Sequence, residues 1–185
     1  MTPSNLTTQT TGYGQTLALG ITSSDVNSDA LAFSWLLNGQ SVAIGILSPS
    51  SSGNTASADF IPTVAQVGAN SVQVSISDGY ESTNCSWPVQ VLPACDISSS
   101  TPDHVPNQRY AGASSQVSTF TVTPNFPANC TVTWAIDGTT VATGNVYNSV
   151  STNALLAAST PHTLTATVSN GVGSSVTRTW TLVKN

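Results

Sequence analysis

The segment Thr131-Val132-Thr133-Trp134-Ala135-Ile136-Asp137-Gly138 has an earlier counterpart in Phe33-Ser34-Trp35-Leu36-Leu37-Asn38-Gly39, and this duplication constrains the fold more than any other feature. In the later copy Val132, Trp134 and Ile136 share one parity and Thr131, Thr133 and Ala135 the other, which is the two-residue period of a half-buried β-strand. The Asn-Gly or Asp-Gly that follows supplies the positive φ angles of a tight hairpin. Each copy is therefore a strand that ends in a turn.

The remaining chain repeats the same plan. In the first half Leu17, Leu19 and Ile21 alternate with small residues, Val72, Val74 and Ile76 alternate with polar ones up to Asp78-Gly79, and Cys85, Trp87, Val89 and Val91 close the half. In the second half Phe120 and Val122, then Leu164, Ala166 and Val168 up to Asn170-Gly171, then Val176, Trp180 and Leu182 follow in the same order. Trp35 to Trp134 and Gly39 to Gly138 are both spaced by 99, whereas Gly79 to Gly171 is spaced by 92 and Trp87 to Trp180 by 93. The first half thus carries about six extra residues after its Trp strand, where Ser48 to Thr55 reads as a Ser/Gly loop. The stretch around Tyr147 reads as polar, and Pro88, which has no N–H, suits a sheet edge. These spacings predict two domains, residues 1–93 and 94–185, meeting near Pro93-Ala94 with almost no linker and set end to end.

Composition excludes several classes of function. Only 6% of residues are charged, against about 25% in typical domains. Ser, Thr, Asn and Gln must therefore make the surface polar, as in exported β-proteins. With a net charge of −5 and three basic residues (Arg109, Arg178, Lys184), the chain has nothing with which to neutralise a phosphate backbone or an anionic membrane. No apolar run approaches the roughly 20 residues of a spanning helix. Met1 ahead of Thr-Pro-Ser-Asn reads as an initiator placed on a fragment of a longer exported chain.

Short strands punctuated by turns, with a Trp on the third main strand, describe an immunoglobulin-like sandwich. Leu31 to Gly39 and Ser75-Ile76-Ser77-Asp78-Gly79 resemble the strand C and strand F signatures of bacterial extracellular Ig-like and PKD-like domains. The resemblance covers both halves and implies an all-β chain of two tandem Ig-like sandwiches that serve as stalk, adhesin or spacer. The antibody-type cysteine pair on strands B and F is missing, which disfavours an immune-receptor reading.

In that topology the starts of strands A and C share one pole, so a Cys95–Cys130 disulfide is geometrically reasonable; two small buried apolar residues are the alternative. Closing a loop of about 35 residues stabilises by about 3 to 4 kcal/mol in the chain-entropy model. Cys85, on the last strand of the first half, reads as a free thiol. Asp25, Asn27 and Asp29 resemble the acidic turn that binds calcium in some bacterial Ig-like and cadherin-like repeats, against the alternative of a polar turn held by Asx hydrogen bonds. The four Trp residues fall at inward parity as two equivalent pairs, which is a core pattern rather than a sugar platform. Arg178 shares the parity of Trp180, so either one parity assignment fails there or a bulge or a snorkelling side chain resolves it. Tyr80, beside the Asp78-Gly79 turn, and Arg109-Tyr110 are the candidate binding residues.

Asp103-His104 is the sole adjacent acid and imidazole, and neither Gly-x-Ser-x-Gly nor His-Glu-x-x-His occurs. The resulting expectation is a non-catalytic extracellular adhesion or stalk module. Its partners would be a cell-surface glycan or protein and neighbouring domains of a longer chain, and the fragment itself would be monomeric. The alternatives are a carbohydrate-binding or spacer module of a secreted glycan-acting enzyme and a phage or fibre component.

Overall fold

The computed structural model describes residues 7–41, 45–102, 109–111, 119–148 and 160–183. Their backbone is mostly extended, and the helical content among them is one 3-10 turn at Val64–Gln66. The chain divides into two compact units, Met1–Pro93 and Ala94–Asn185. Each buries a separate apolar core.

In the first unit β1 (Gln9–Gly12), β7 (Ser82–Leu92), β6 (Gly68–Ser77) and β3 (Ala32–Leu37) form one sheet in that order. The other sheet is β2 (Leu17–Thr22), β5 (Thr55–Phe60) and β4 (Leu47–Ser52). Inward residues of the two sheets, among them Trp35, Val72, Val74 and Trp87 from one and Leu19, Ala58 and Phe60 from the other, make the core. Trp35 and Trp87 stack with ring centroids 5.5 Å apart and planes 12° from parallel.

Two local expectations change here. Ser48 to Thr55 is not a loop: β4 and β5 pair from Leu47↔Phe60 to Ser52↔Thr55 around Gly53-Asn54. One buried residue, Leu47, anchors β4, whose serines lie at a sheet edge and so leave no apolar period to read. Nor is Pro88 on an edge strand, since β7 lies between β6 and β1. The pairing with β1 begins at Val89, one residue later, so the missing N–H costs no ladder bond there.

The second unit is built from β8 (Ile97–Thr101), β9 (Arg109–Ala111), β10 (Thr119–Pro124), β11 (Thr131–Ile136), β12 (Thr139–Thr143), β13 (Val146–Asn148), β14 (Pro161–Ser169) and β15 (Ser175–Val183). Its sheets run β13-β10-β8 and β12-β11-β14-β15-β9. Trp134 and Trp180 stack at 5.8 Å, Tyr147 stacks on Trp134 at 5.5 Å, and Phe120 meets Trp180 edge-on at 5.5 Å. Tyr147 is thus a core residue, 2% exposed, and not part of a polar stretch. Its strand is three residues long with exposed neighbours, too short to display a period. The β14–β15 register runs unbroken, with Arg178 opposite Ala166, so no bulge turns Arg178 outward; it is half-buried, and its Nε has no hydrogen-bond partner.

Both Trp strands end in the same turn. Asn38 and Asp137 hold φ of 52° and 48°, followed by Gly39 and Gly138 at 77° and 81°. Two consecutive left-handed residues match the twist of the flanking strands, and Asn, Asp and Gly tolerate that conformation best.

The Trp134 indole donates to the Gly144 carbonyl at 2.7 Å, while the Trp35 Nε1 is buried without a partner. Trp134→Phe therefore removes ring area and a hydrogen bond, and Trp35→Phe removes ring area alone. We expect Trp134→Phe to cost about 1 kcal/mol more than Trp35→Phe, read from urea midpoints of the whole chain.

Candidate functional site

At one end of the first unit three connections meet: the β2–β3 loop, the β4–β5 turn and the β6–β7 turn. Ser23 N–H donates to the Asn54 carbonyl at 2.9 Å, joining the first two. A cavity of about 180 Å³, lined by Asp25 and Leu31 from the first loop and by Asp78 and Glu81 from the third, joins the first and last. An Ig-like sandwich clusters its loops in this way because the strands of both sheets end at common poles.

Carboxylates shape both loops. Asp25 Oδ1 accepts the N–H groups of Asn27 (2.8 Å) and Asp29 (2.9 Å). Asp78 Oδ1 accepts those of Glu81 (2.7 Å) and Tyr80 (2.8 Å), and these two donors, Glu81 first, hold the Asp78 carboxyl below its usual range. The turn leaves Tyr80 89% exposed, as Val26 is 99% exposed in the other loop. Residues 1–93 contain five Asp and Glu and no Lys or Arg, while 94–185 contain three of each, so the entire net charge of −5 belongs to the first unit. Four of those five acids (Asp25, Asp29, Asp78, Glu81) stand in these two loops.

The Asp25–Asp29 turn is held by hydrogen bonds within itself. Asp25 Oδ1 is taken by two backbone donors, and among the described residues no three Asp, Glu, His or Cys side chains cluster. Asp25, Asn27 and Asp29 form a turn capped by its own carboxylate.

The other candidates belong to the second unit. Arg109 and Tyr110 stand on β9, the edge of its five-stranded sheet, in register with Thr181 and Leu182. Cys95 and Cys130 are joined by a disulfide, with Cα atoms 6.0 Å apart and both residues buried. The Cys95 N–H donates to Ser174 Oγ at 2.8 Å. Cys85 is free and half-buried, opposite Val74 on β6. Asp103-His104 and Lys184 lie outside the described residues.

One contact went unread in the sequence. His162 Nδ1 lies 2.6 Å from Asp137 Oδ2, while Asp137 Oδ1 accepts the Thr163 N–H at 2.8 Å. At the matching place in the first unit Asn38 donates to Asn70 Oδ1 (3.0 Å) and accepts from Ser71 N–H (2.8 Å). The spacing of the repeat holds the signal: 99 separates Asn38 from Asp137, and 92 separates Asn70 from His162. One unit ties these two strands with amides and the other with an acid and an imidazole.

No protein-family model matches the chain, and no curated protein matches it. Solved structures do. The I-band fragment I67–I69 of titin superposes with a TM-score of 0.62 at 13% identity, covering 96% of this chain and 62% of that one. An E-to-A variant of the same titin fragment gives 0.61 at 13% identity with the same coverage. The N-terminal Ig1-2 module of the Drosophila receptor protein tyrosine phosphatase DLAR covers 96% of this chain and 94% of its own, at 9% identity and a TM-score of 0.39. The chain thus spans under two thirds of these two titin I67–I69 fragments, and the likeness to them establishes the fold: tandem Ig-like sandwiches.

Two predictions follow from the loop and turn geometry. Asp25→Ala should lower stability by about 1 kcal/mol through its lost backbone acceptor, equally in calcium and in chelator; a melting temperature that rises with calcium would contradict the capping role. The second concerns acid. The His162 hydrogen bond, then the Thr163 N–H, hold the Asp137 carboxyl below its usual range. A lowered folded-state value makes a contribution that is complete above the unfolded value near 3.8 and is lost as pH falls through the folded value. Acid titration of unfolding should therefore have a shallower slope below about pH 4 in Asp137→Asn than in the parent.

Proposed function

We propose that this chain is a non-catalytic extracellular module of a bacterial surface or secreted protein, acting in adhesion or as a stalk, with the loop end of the first unit as its recognition surface. The observation that carries the reading is Tyr80, 89% exposed on a turn that Asp78 braces at the end of a packed sandwich. A rigid aromatic at a loop end offers contact area at little entropic cost. In the second unit the Asp137–His162 contact ties a turn to a strand. The Cys95–Cys130 bridge suits an oxidising compartment. No described helix is long and apolar enough to cross a membrane.

The partner class that fits is a cell-surface glycan or protein, together with neighbouring domains of a longer chain. A carbohydrate module that stacks sugars on a sheet of exposed Trp is the weaker alternative, because all four Trp residues are buried. The test is binding of the chain to a glycan array and to intact bacterial and animal cells, with sedimentation for its assembly state. Saturable binding that Tyr80→Ala reduces at least tenfold, by a monomer, is the expected result. Binding unchanged by Tyr80→Ala would move recognition off this tip, monomers without binding would leave the stalk role, and stable trimers would favour a fibre component.

A further inference from the structure

We propose that the Cys95–Cys130 bridge is a redox-set stop. It takes β8 and β9 out of the path of tension through the second unit and limits how far that unit can be drawn out. The purpose rests on the stalk reading above; the mechanics rest on chain topology.

Tension loads a domain through the points where the chain enters and leaves it. The second unit is entered at Ala94-Cys95, and its last described strand, β15, runs from Ser175 to Val183. Ser174, which bonds Cys95, immediately precedes β15, so Cys95 and Val183 stand at opposite ends of the unit. In the reduced chain tension from Cys95 runs along β8, which is paired antiparallel with β10, and then to β9, whose Arg109–Ala111 lie parallel to Thr181–Val183. The bridge changes this route. Residues 96–129 become a closed covalent loop whose ends cannot separate, and tension passes through the sulfur atoms to Cys130.

From Cys130 the load falls on the first residue of β11. Six residue pairs hold β11 to β14, from Thr131↔Ser169 to Ile136↔Leu164. Nine hold β14 to β15, from Pro161↔Val183 to Ser169↔Ser175. β11 and β15 run in the same direction on either side of β14. Drawing the start of one against the end of the other therefore loads both ladders along the strands, so their hydrogen bonds resist together rather than in turn. The first unit has no such bypass, since its one cysteine, Cys85, is free. There β1 lies parallel to β7 over four pairs, Gln9↔Val89 to Gly12↔Leu92, and bears tension whatever the redox state.

Burial makes release conditional. Each cysteine is 7% exposed, so a reductant reaches the sulfurs once tension has parted the strands around them. A thiolate of a dithiol reductant attacks one sulfur and breaks the S–S bond. Its second thiolate then displaces the remaining cysteine. Both cysteines end as thiols, the dithiol supplies the two electrons, and it leaves as a cyclic disulfide.

The experiment stretches the whole chain between terminal handles in an optical trap, in a Cys85→Ala background that prevents exchange within the chain. In oxidising buffer we expect two unfolding events of unequal length. The second unit's is shorter by its closed loop, on the order of 120 Å for a separation of 35 residues at about 3.3–3.6 Å each. With dithiothreitol added under tension, a late step of that length should follow the second unit's event and no other. Cys95→Ser/Cys130→Ser should show the long event at once; should that variant not fold, the late step in the bridged chain decides alone. Two full-length events in oxidising buffer, or no late step after reduction, overturn the proposal. The stalk reading fails on other grounds, namely stable trimers in solution, which leave these lengths unchanged.

Discussion

Each unit depends on a pair of indole rings held between its sheets. Trp35 and Trp87 stand on β3 and β7 with β6 between them, and that middle strand presents the slim Val74 opposite Trp35 and Val72 opposite Trp87. In the second unit Ala166 and Leu164 of β14 stand opposite Trp134 and Trp180. Small aliphatic residues on the central strand leave room for large rings from its two neighbours to meet above it. A ring of that size fills the space between sheets about 10 Å apart and excludes water from the ladder beneath. The second unit extends the stack with Tyr147 and Phe120.

Around this shared arrangement the units differ in how they are tied. The first closes its strand ends with neutral amides, Asn38 to Asn70, carries all of the net negative charge and holds a free thiol. The second has a balanced charge, an acid–imidazole contact between Asp137 and His162 and a covalent bridge. The consequences separate along the same line. The proposed roles divide the same way, recognition at the charged loop end with its exposed Tyr80 and load on the bridged sandwich.

Fold class was legible in the sequence because sandwich strands advertise themselves through period-two burial. Val72, Val74 and Ile76, or Leu164, Ala166 and Val168, alternate with polar residues for long enough to be unmistakable. Legibility ended where a strand was short or lay at an edge. β4 contributes Leu47 and then serines, and β13 contributes Tyr147 between two exposed residues. β4 lacks a second apolar position and β13 lacks the length to show a period, and both are strands because a neighbour supplies hydrogen bonds. At the candidate site the exposure of Tyr80 was legible from its place beside Asp78-Gly79. For Asp25 the spacing left two readings, a capped turn and an ion ligand, and the hydrogen bonds of the capped turn are present.

By itself, then, the sequence determined the two-fold repeat, the β class, the inward Trp pairs and the tight turns at Asn38-Gly39 and Asp137-Gly138. All of these follow from side-chain alternation and local backbone preference, which act within a few residues. The Cys95–Cys130 bridge was already expected from the shared pole of strands A and C and is present, whereas tertiary structure alone decided that Asp137 meets His162 and that the Asp25 loop meets the Asp78 turn. Those contacts depend on strand order and register, and these are set by how two sheets close over one core rather than by any local signal.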